Sequence, residues 1–274
     1  MSKPLRFLSN SAQAAAIIAR FGGHGTSVGN SYATVRDYCE SIDELPQITA
    51  QDGDLKNVQR PWAAKAILAN VPPPARLLEI GGGEPIVSGF LSELGYDVTL
   101  VDPYDGFGNG PTDYQRYVEQ FPHVKIVREY FCPGLPGLIP QSFDAIFSIS
   151  VLEHIPPDSL RSCFDAIAEF LSPEGASIHC FDFILQGNGD AHDLLNGQEI
   201  LAEQKRVTNE PGNRSFEQLL QRLRADVETF FLSPQGHHQW RGGRPYSAFP
   251  FRKVVSLQTV AQRRQPESPQ TLTD

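Results

Sequence analysis

Sulfur and basic charge are both scarce in this chain. Its 274 residues include four cysteines and one methionine. The cysteines, Cys39, Cys132, Cys163 and Cys180, are scattered and never form a Cys-x-x-Cys pair. That spacing argues against a zinc site and a disulfide framework, and it suits reduced thiols in a cytoplasmic protein. Lysine and arginine total 23 against 32 aspartates and glutamates, a formal net charge of −9. A surface that neutralises nucleic-acid phosphates leaves a basic footprint, and these totals carry none, so no nucleic-acid partner is expected. Long apolar runs are missing as well. "AAAIIARF" is too short for a bilayer span, and "MSKPLRFLSN" lacks the order of charge, apolar core and cleavage site of a secretion signal. No membrane partner and a cytoplasmic location are therefore expected. There is no internal repeat, and no Gly-Lys-Ser or Gly-Lys-Thr that would mark a P-loop.

What is present reads as an α/β protein. With 40% hydrophobic and 20% charged residues, the chain has the composition of a soluble globular domain with a sizeable core. Residues 10–20, 28–43 and about 57–70 carry helical patterns, broken by the glycine-rich "FGGHGTSVGN" and ended by "VPPP". Residues 1–70 are read as a helical cap or lid with a linker, and Tyr32 as a side chain that suits packing against the sheet better than closing over a ligand. Strand-like runs then alternate with helices: "RLLEI", "DVTLVD", "HVKIV", "FDAIFSIS" and "GASIHCFDF". "VETFFL" and "FRKVVSLQTVAQ" read as two final strands joined by a long irregular connection, and residues 264–274 as a disordered tail. This alternation predicts a mostly parallel, seven-stranded sheet flanked by helices over residues 71–263.

"LLEIGGGEPIVSGFL" places three consecutive glycines between the first strand and the following helix. Ligands of open α/β sheets bind at that carboxyl edge. Gly81 and Gly83 fit the first two glycines of a dinucleotide fingerprint, but the position of the third is Ile86, so the turn is poorly matched to a pyrophosphate. Asp102 ends the next strand about 20 residues on, where a carboxylate can accept hydrogen bonds from a ribose.

Taken with "VDP" and with "FDAIFSISVLEHI" running on to "LSPEG", these residues resemble the class I S-adenosylmethionine-dependent methyltransferases, which have a Rossmann-like fold. The resemblance covers roughly residues 75–185, with Pro85 a departure from the family's usual third glycine. It implies S-adenosyl-L-methionine as cofactor. Gly81, Gly82 and Gly83 would pass beneath its methionine portion, and Glu79 would orient that region. Asp102 would hold the ribose and Pro103 would lie against the adenine. Glu129, with Tyr130 beside it, would meet the adenine amino group, and Ser148 and Ile149 would border the sulfonium.

Methyl transfer to a hydroxyl needs a base within reach, and histidine is the commonest choice. His154 in "LEHIPP" and Asp182 near the end of the fifth strand are the catalytic candidates. His179 lies at an odd offset from Asp182, on the opposite face of the strand, and reads as a satisfied buried histidine. His192 with Asp190 is weak evidence for a metal, so none is expected. His237, His238, Trp240, Arg241, Arg244 and Tyr246 sit in the last connection, where an aromatic and arginine set suits a planar or anionic substrate.

The expected activity is methylation of a small molecule, by preference on oxygen. Self-association as a homodimer stays open. So do three other activities: a protein or N-methyltransferase, a nicotinamide-dependent oxidoreductase, and a non-catalytic cofactor-binding module.

Overall fold

A computed structural model describes residues 3–23, 28–107, 110–208 and 215–263. The tail expected at 264–274 and the centre of the glycine-rich loop after Phe21 lie outside the described residues. In chain order the elements begin with α1 (Ser11–Phe21), β1 (Gly29–Tyr32), α2 (Val35–Glu44) and α3 (Lys56–Asn70). Next come β2 (Arg76–Ile80), α4 (Ile86–Glu93), β3 (Asp97–Val101), α5 (Tyr114–Gln120), β4 (Lys125–Val127) and β5 (Phe143–Ile149). A 3-10 turn, Leu152–His154, leads into α6 (Pro157–Phe170) and β6 (Leu171–Gln186). The chain continues through α7 (Asp190–Thr208), α8 (Phe216–Ala225) and α9 (Pro234–Arg241) to β7 (Lys253–Gln262).

Local chemistry sets several of these boundaries. The Asn10 side chain caps α1 by accepting from the Gln13 amide. Thr34 with Asp37, and Ser215 with Gln218, form capping boxes that start α2 and α8. Ser233 caps α9, and Pro234 fills its first turn, where a missing N–H costs nothing.

The seven strands lie in the order β1-β7-β6-β5-β2-β3-β4. β2 pairs in parallel with β3 and β5, β3 with β4, and β5 with β6, while β7 is antiparallel to both β6 and β1. The sheet is thus mostly parallel and covered on both faces, as the alternating pattern predicts. Period-two alternation splits its side chains: Leu77, Ala145 and Phe147 pack with α1, α3 and α4, and Leu78, Ile146 and Phe181 pack with α6, α7 and α8.

The set of strands needs correction. "VETFFL" forms no strand of the sheet. It makes one isolated bridge, Thr34↔Thr229, and packs Phe230 against Tyr38 with ring centroids 4.7 Å apart. The seventh strand instead comes from near the other end of the chain, as β1 pairs Gly29 with Val260 and Tyr32 with Leu257. Tyr32 packs against the sheet, the expected alternative to closing over a ligand: it lies in that edge strand and donates from its hydroxyl to Asp226 Oδ2 at 2.8 Å. Residues 1–70, read as a cap, therefore supply one strand of the sheet and much of the layer on one face, including the fully buried Ala63, Ala64 and Ile67 of α3.

Candidate active site

The chain leaves β2 at Ile80 and turns through Gly81, Gly82 and Gly83. Gly81 (φ +61°) and Gly83 (φ +49°) occupy the left-handed region that favours glycine. A Cβ on Gly82 would stand 2.4 Å from Leu100 Cδ1 and 2.8 Å from Glu79 Cδ, and one on Gly81 would stand 2.7 Å from Val151 Cγ1. The bend is pressed against its own strands, which brings its backbone to the carboxyl edge of the sheet.

Two carboxyl groups flank it. Glu79 is 3% exposed beneath the bend and accepts a hydrogen bond from Ser88 Oγ. Burial raises its pKa to about 7, against the opposing pull of the Ser88 bond and of the Arg60 and Lys56 charges. Asp102 caps β3. Its Oδ2 accepts from the Gly83 amide at 2.9 Å and its Oδ1 from the Tyr104 amide at 2.7 Å. Burial holds this carboxyl above its ordinary range, and the two amide bonds oppose that shift. Tyr104 (φ +51°) completes the clasp by donating from its hydroxyl to Gly83 O at 2.9 Å.

A cleft of about 1360 Å³ runs across the carboxyl ends of β2, β3, β5 and β6. Eight of the ten sequence-derived cofactor residues line it: Glu79, Gly81, Gly82, Gly83, Asp102, Pro103, Tyr130 and Ile149. Ser148 and Glu129 do not. Ser148 is fully buried, with Oγ 2.8 Å from His179 Nδ1, because strand alternation turns it into the sheet's other face. Glu129 is exposed outside the cleft, while its neighbour Tyr130, also exposed, borders the cleft and donates to Asp105.

Both catalytic candidates line the same cleft. β5 ends where Ile149 pairs with Cys180, and β6 runs on past it, so Asp182 and Ile184 form a wall of the cleft. Asp182 Oδ1 accepts from Gln59 Nε2 at 2.7 Å and from Ser150 Oγ at 3.1 Å. Ser150 sits at φ +52°, and sparsely populated backbone of this kind collects at functional sites. Burial lifts the Asp182 carboxyl above its ordinary range, while Lys56, the Gln59 bond and His154 oppose the shift. His154 opens onto the cleft, yet the surrounding walls lower its pKa, with Asp182 and Asp193 pulling it back up. Its imidazole is therefore neutral near pH 7.

Sequence reading missed several lining residues: Lys56, Arg60, Ser150, Glu153 and Arg252. It also missed Gln59, which holds Asp182 from behind. Glu153 Oε1 accepts from the Asp182 amide at 2.9 Å, and its buried Oε2 has no partner among the described residues. Burial and the Asp182 charge keep the Glu153 carboxyl well above its usual range. Adjacency to His154 was the one available signal for it.

Of the remaining candidates, Trp240, Arg241 and Arg244 line the cleft, and Trp240 donates to Asp54 Oδ2 at 2.6 Å. His237 is buried against Tyr246, Phe249 and Phe251, and His238 faces Arg241. His179 is enclosed between Ser148 and Ser177, with its pKa depressed by burial to about 3. Among the described residues no group of three His, Cys, Asp or Glu side chains is placed to hold a metal, and no helix is long and apolar enough to cross a membrane.

A family model described as "Methyltransferase domain" matches residues 55–262, well over half of the chain. The chain belongs to that methyltransferase family. Its fold and family are those expected of a Rossmann-like, S-adenosylmethionine-dependent methyltransferase. The match begins at the start of α3, so the family's domain reaches back into the segment read as a cap.

Two uncharacterized Mycobacterium tuberculosis proteins, from strains CDC 1551 and H37Rv, are each 32% identical to this methyltransferase over 125 residues. That stretch covers 44% of this chain and 39% of theirs, so the chain spans well under two thirds of the curated relatives it matches.

Among solved structures it is similar to a TehB-like S-adenosylmethionine-dependent methyltransferase from Corynebacterium glutamicum, at 21% identity and TM-score 0.42 over 64% of this chain and 82% of that one. A 1,6-didemethyltoxoflavin N1-methyltransferase from Burkholderia thailandensis matches at 16% identity and TM-score 0.43, covering 97% and 94%. A geranyl diphosphate C-methyltransferase from Streptomyces coelicolor matches at 11% identity and TM-score 0.46, covering 91% and 98%.

Proposed function

We propose that this methyltransferase methylates a hydroxyl of a small molecule, using His154 as general base. The observation that carries the reading is that one cleft is lined at one end by the glycine bend and Asp102, and at the other by His154 and Asp182.

The donor groups of the first end suit S-adenosylmethionine. Asp102 has acceptor capacity left after its two amide bonds, since a carboxylate offers about four lone-pair sites. The ribose hydroxyls are its natural partners. Glu79, poised near neutrality beneath the glycines, suits the cofactor's ammonium. Pro103 and Tyr130 offer apolar surface to the adenine. When bound, the cofactor supplies an activated methyl group, so the protein's task is mainly position and proton handling.

At the other end, neutral His154 accepts the hydroxyl proton as the oxygen becomes nucleophilic. Asp182 then stabilises the imidazolium, because its charge acts on His154 in that direction. Gln59 and Ser150 hold Asp182 in place, with Lys56 nearby to moderate the cost of its burial.

N-methylation is the second reading, favoured by the unpartnered Glu153 Oε2, which suits an amine donor.

Calorimetry with S-adenosylhomocysteine tests the cofactor end. Transfer of labelled methyl from the cofactor into a metabolite extract, run beside a protein extract, tests the acceptor class. Base-stable labelled ethers in the metabolite arm support O-methylation. Labelled amines point to the second reading, and label confined to protein overturns both.

A further inference from the structure

Beyond the reacting groups, the cleft is walled by a cluster of arginines in a chain that is acidic overall. Arg241 comes from the end of α9, Arg244 from the loop that follows, and Arg252 from the segment entering β7. All three line the cleft. Arg244 and Arg252 share one aromatic ring: their Cζ atoms lie 4.2 and 4.4 Å from the centroid of Phe249, itself 7% exposed.

Backbone oxygens fix the guanidiniums further. Arg241 Nη1 donates to Arg244 O at 3.1 Å, Arg244 Nη2 to Trp240 O at 3.3 Å, and Arg252 Nη1 to Asn188 O at 3.4 Å. Among the described residues none of the three is in an ion pair with a carboxylate. Clustered like charges of this kind are unfavourable unless an anion joins them. The Arg252 guanidinium shows that tension: burial and the Arg244 charge lower its pKa, and Asp193 works the other way.

Asp193 also ties this region to the reacting end, because its charge acts on His154 as well. It is only partly available to the arginines, since its Oδ2 accepts from the Ile184 amide at 2.7 Å.

We propose that Arg241, Arg244 and Arg252 form an anion subsite that grips a carboxylate or phosphate group of the methyl acceptor, leaving its hydroxyl for His154. The proposal rests on the methyltransferase reading above and adds the acceptor's charge to it. Planar guanidinium forks match both oxyanions, and stacking on Phe249 holds those of Arg244 and Arg252 ready.

The test titrates benzoate, phenyl phosphate and neutral phenol into the protein saturated with S-adenosylhomocysteine, comparing wild type with R244Q and with R244Q/R252Q. Arg244 is exposed, so the single variant leaves the core untouched. The expected result is saturable binding of at least one of the two anions, about tenfold weaker in the single variant and weaker still in the double. Phenol should bind none of them measurably, and affinity for S-adenosylhomocysteine should stay at the wild-type value in both variants. The anion that binds more tightly identifies the group as carboxylate or phosphate. Absence of anion binding, or equal binding by wild type and both variants, overturns the subsite. Failure of S-adenosylhomocysteine to bind wild type would instead strike the cofactor reading, and anion titration of the protein alone keeps the two failures distinct.

Discussion

Asp102 is bonded to the very bend it faces, its Oδ2 accepting the Gly83 amide at 2.9 Å. One carboxylate thus fixes the loop and presents acceptors to a ligand. Asp102→Ala should remove both functions and weaken binding of S-adenosylhomocysteine by about 10- to 100-fold, the loss of one or two charge-assisted hydrogen bonds. Asp102→Asn should fall between wild type and Asp102→Ala, since it keeps one acceptor oxygen. Calorimetry reads both, and unchanged affinity in Asp102→Ala would remove the carboxylate from the cofactor site.

The tightness of the bend predicts a contrast between two glycines. An alanine at Gly82 meets Leu100 and Glu79 at distances that real Cβ atoms do not show, whereas Gly243 has nothing within 4 Å. Gly82→Ala should cost about 1–3 kcal/mol of stability in urea unfolding, and Gly243→Ala should be close to neutral. Equal midpoints for the two variants would contradict the packing described.

Glu79 gives a pH dependence with a definite sign. Its pKa rises from 4.5 in the unfolded chain to about 7 when folded. Between those values the unfolded chain gives up its proton first, so stability falls as pH rises through the window and levels off above it. The loss is at most about 3 kcal/mol. Urea unfolding at pH 5 and pH 8 should show this decline in wild type and a smaller one in Glu79→Gln. A wild type whose stability rises across that interval would refute the assignment.

For His154 as the proposed base, a pKa lowered from the ordinary 6.5 places the acid limb of the rate profile below that value. Asp182 raises the His154 pKa, so Asp182→Asn should move that limb to still lower pH while reducing kcat. His154→Gln should flatten the limb and lower kcat by about 10²- to 10⁴-fold. An Asp182→Asn profile displaced toward higher pH would rule out the pairing.

Much of this arrangement was legible in the sequence because it is local. The glycine bend, Asp102 and Pro103 follow strand ends that apolar runs mark clearly, and the sheet edge then gathers them into one cleft. Long-range pairings were hidden. "GNSY" is short, polar and next to a helix, and nothing local announces that it will pair with residues 257–260. "VETFFL" has the composition of a strand but buries Phe230 against α2 and β7 and makes only scattered backbone bonds to its neighbours. Lys56 and Gln59 belong to a helix whose apolar pattern reports only its packing, so neither the cleft lysine nor the buried glutamine behind Asp182 carries a motif. Ser148 was misjudged by one step of alternation, enough to turn it away from the cleft and toward His179.

The edge strand also governs when the protein is finished. Asn30 and Thr259, whose side chains meet at 2.8 Å, stand 229 positions apart. During synthesis the β1 segment must wait, unpaired, until β7 has emerged and can slot between it and β6. Completion of the sheet is therefore a non-local event, during which β1 is exposed to wrong partners.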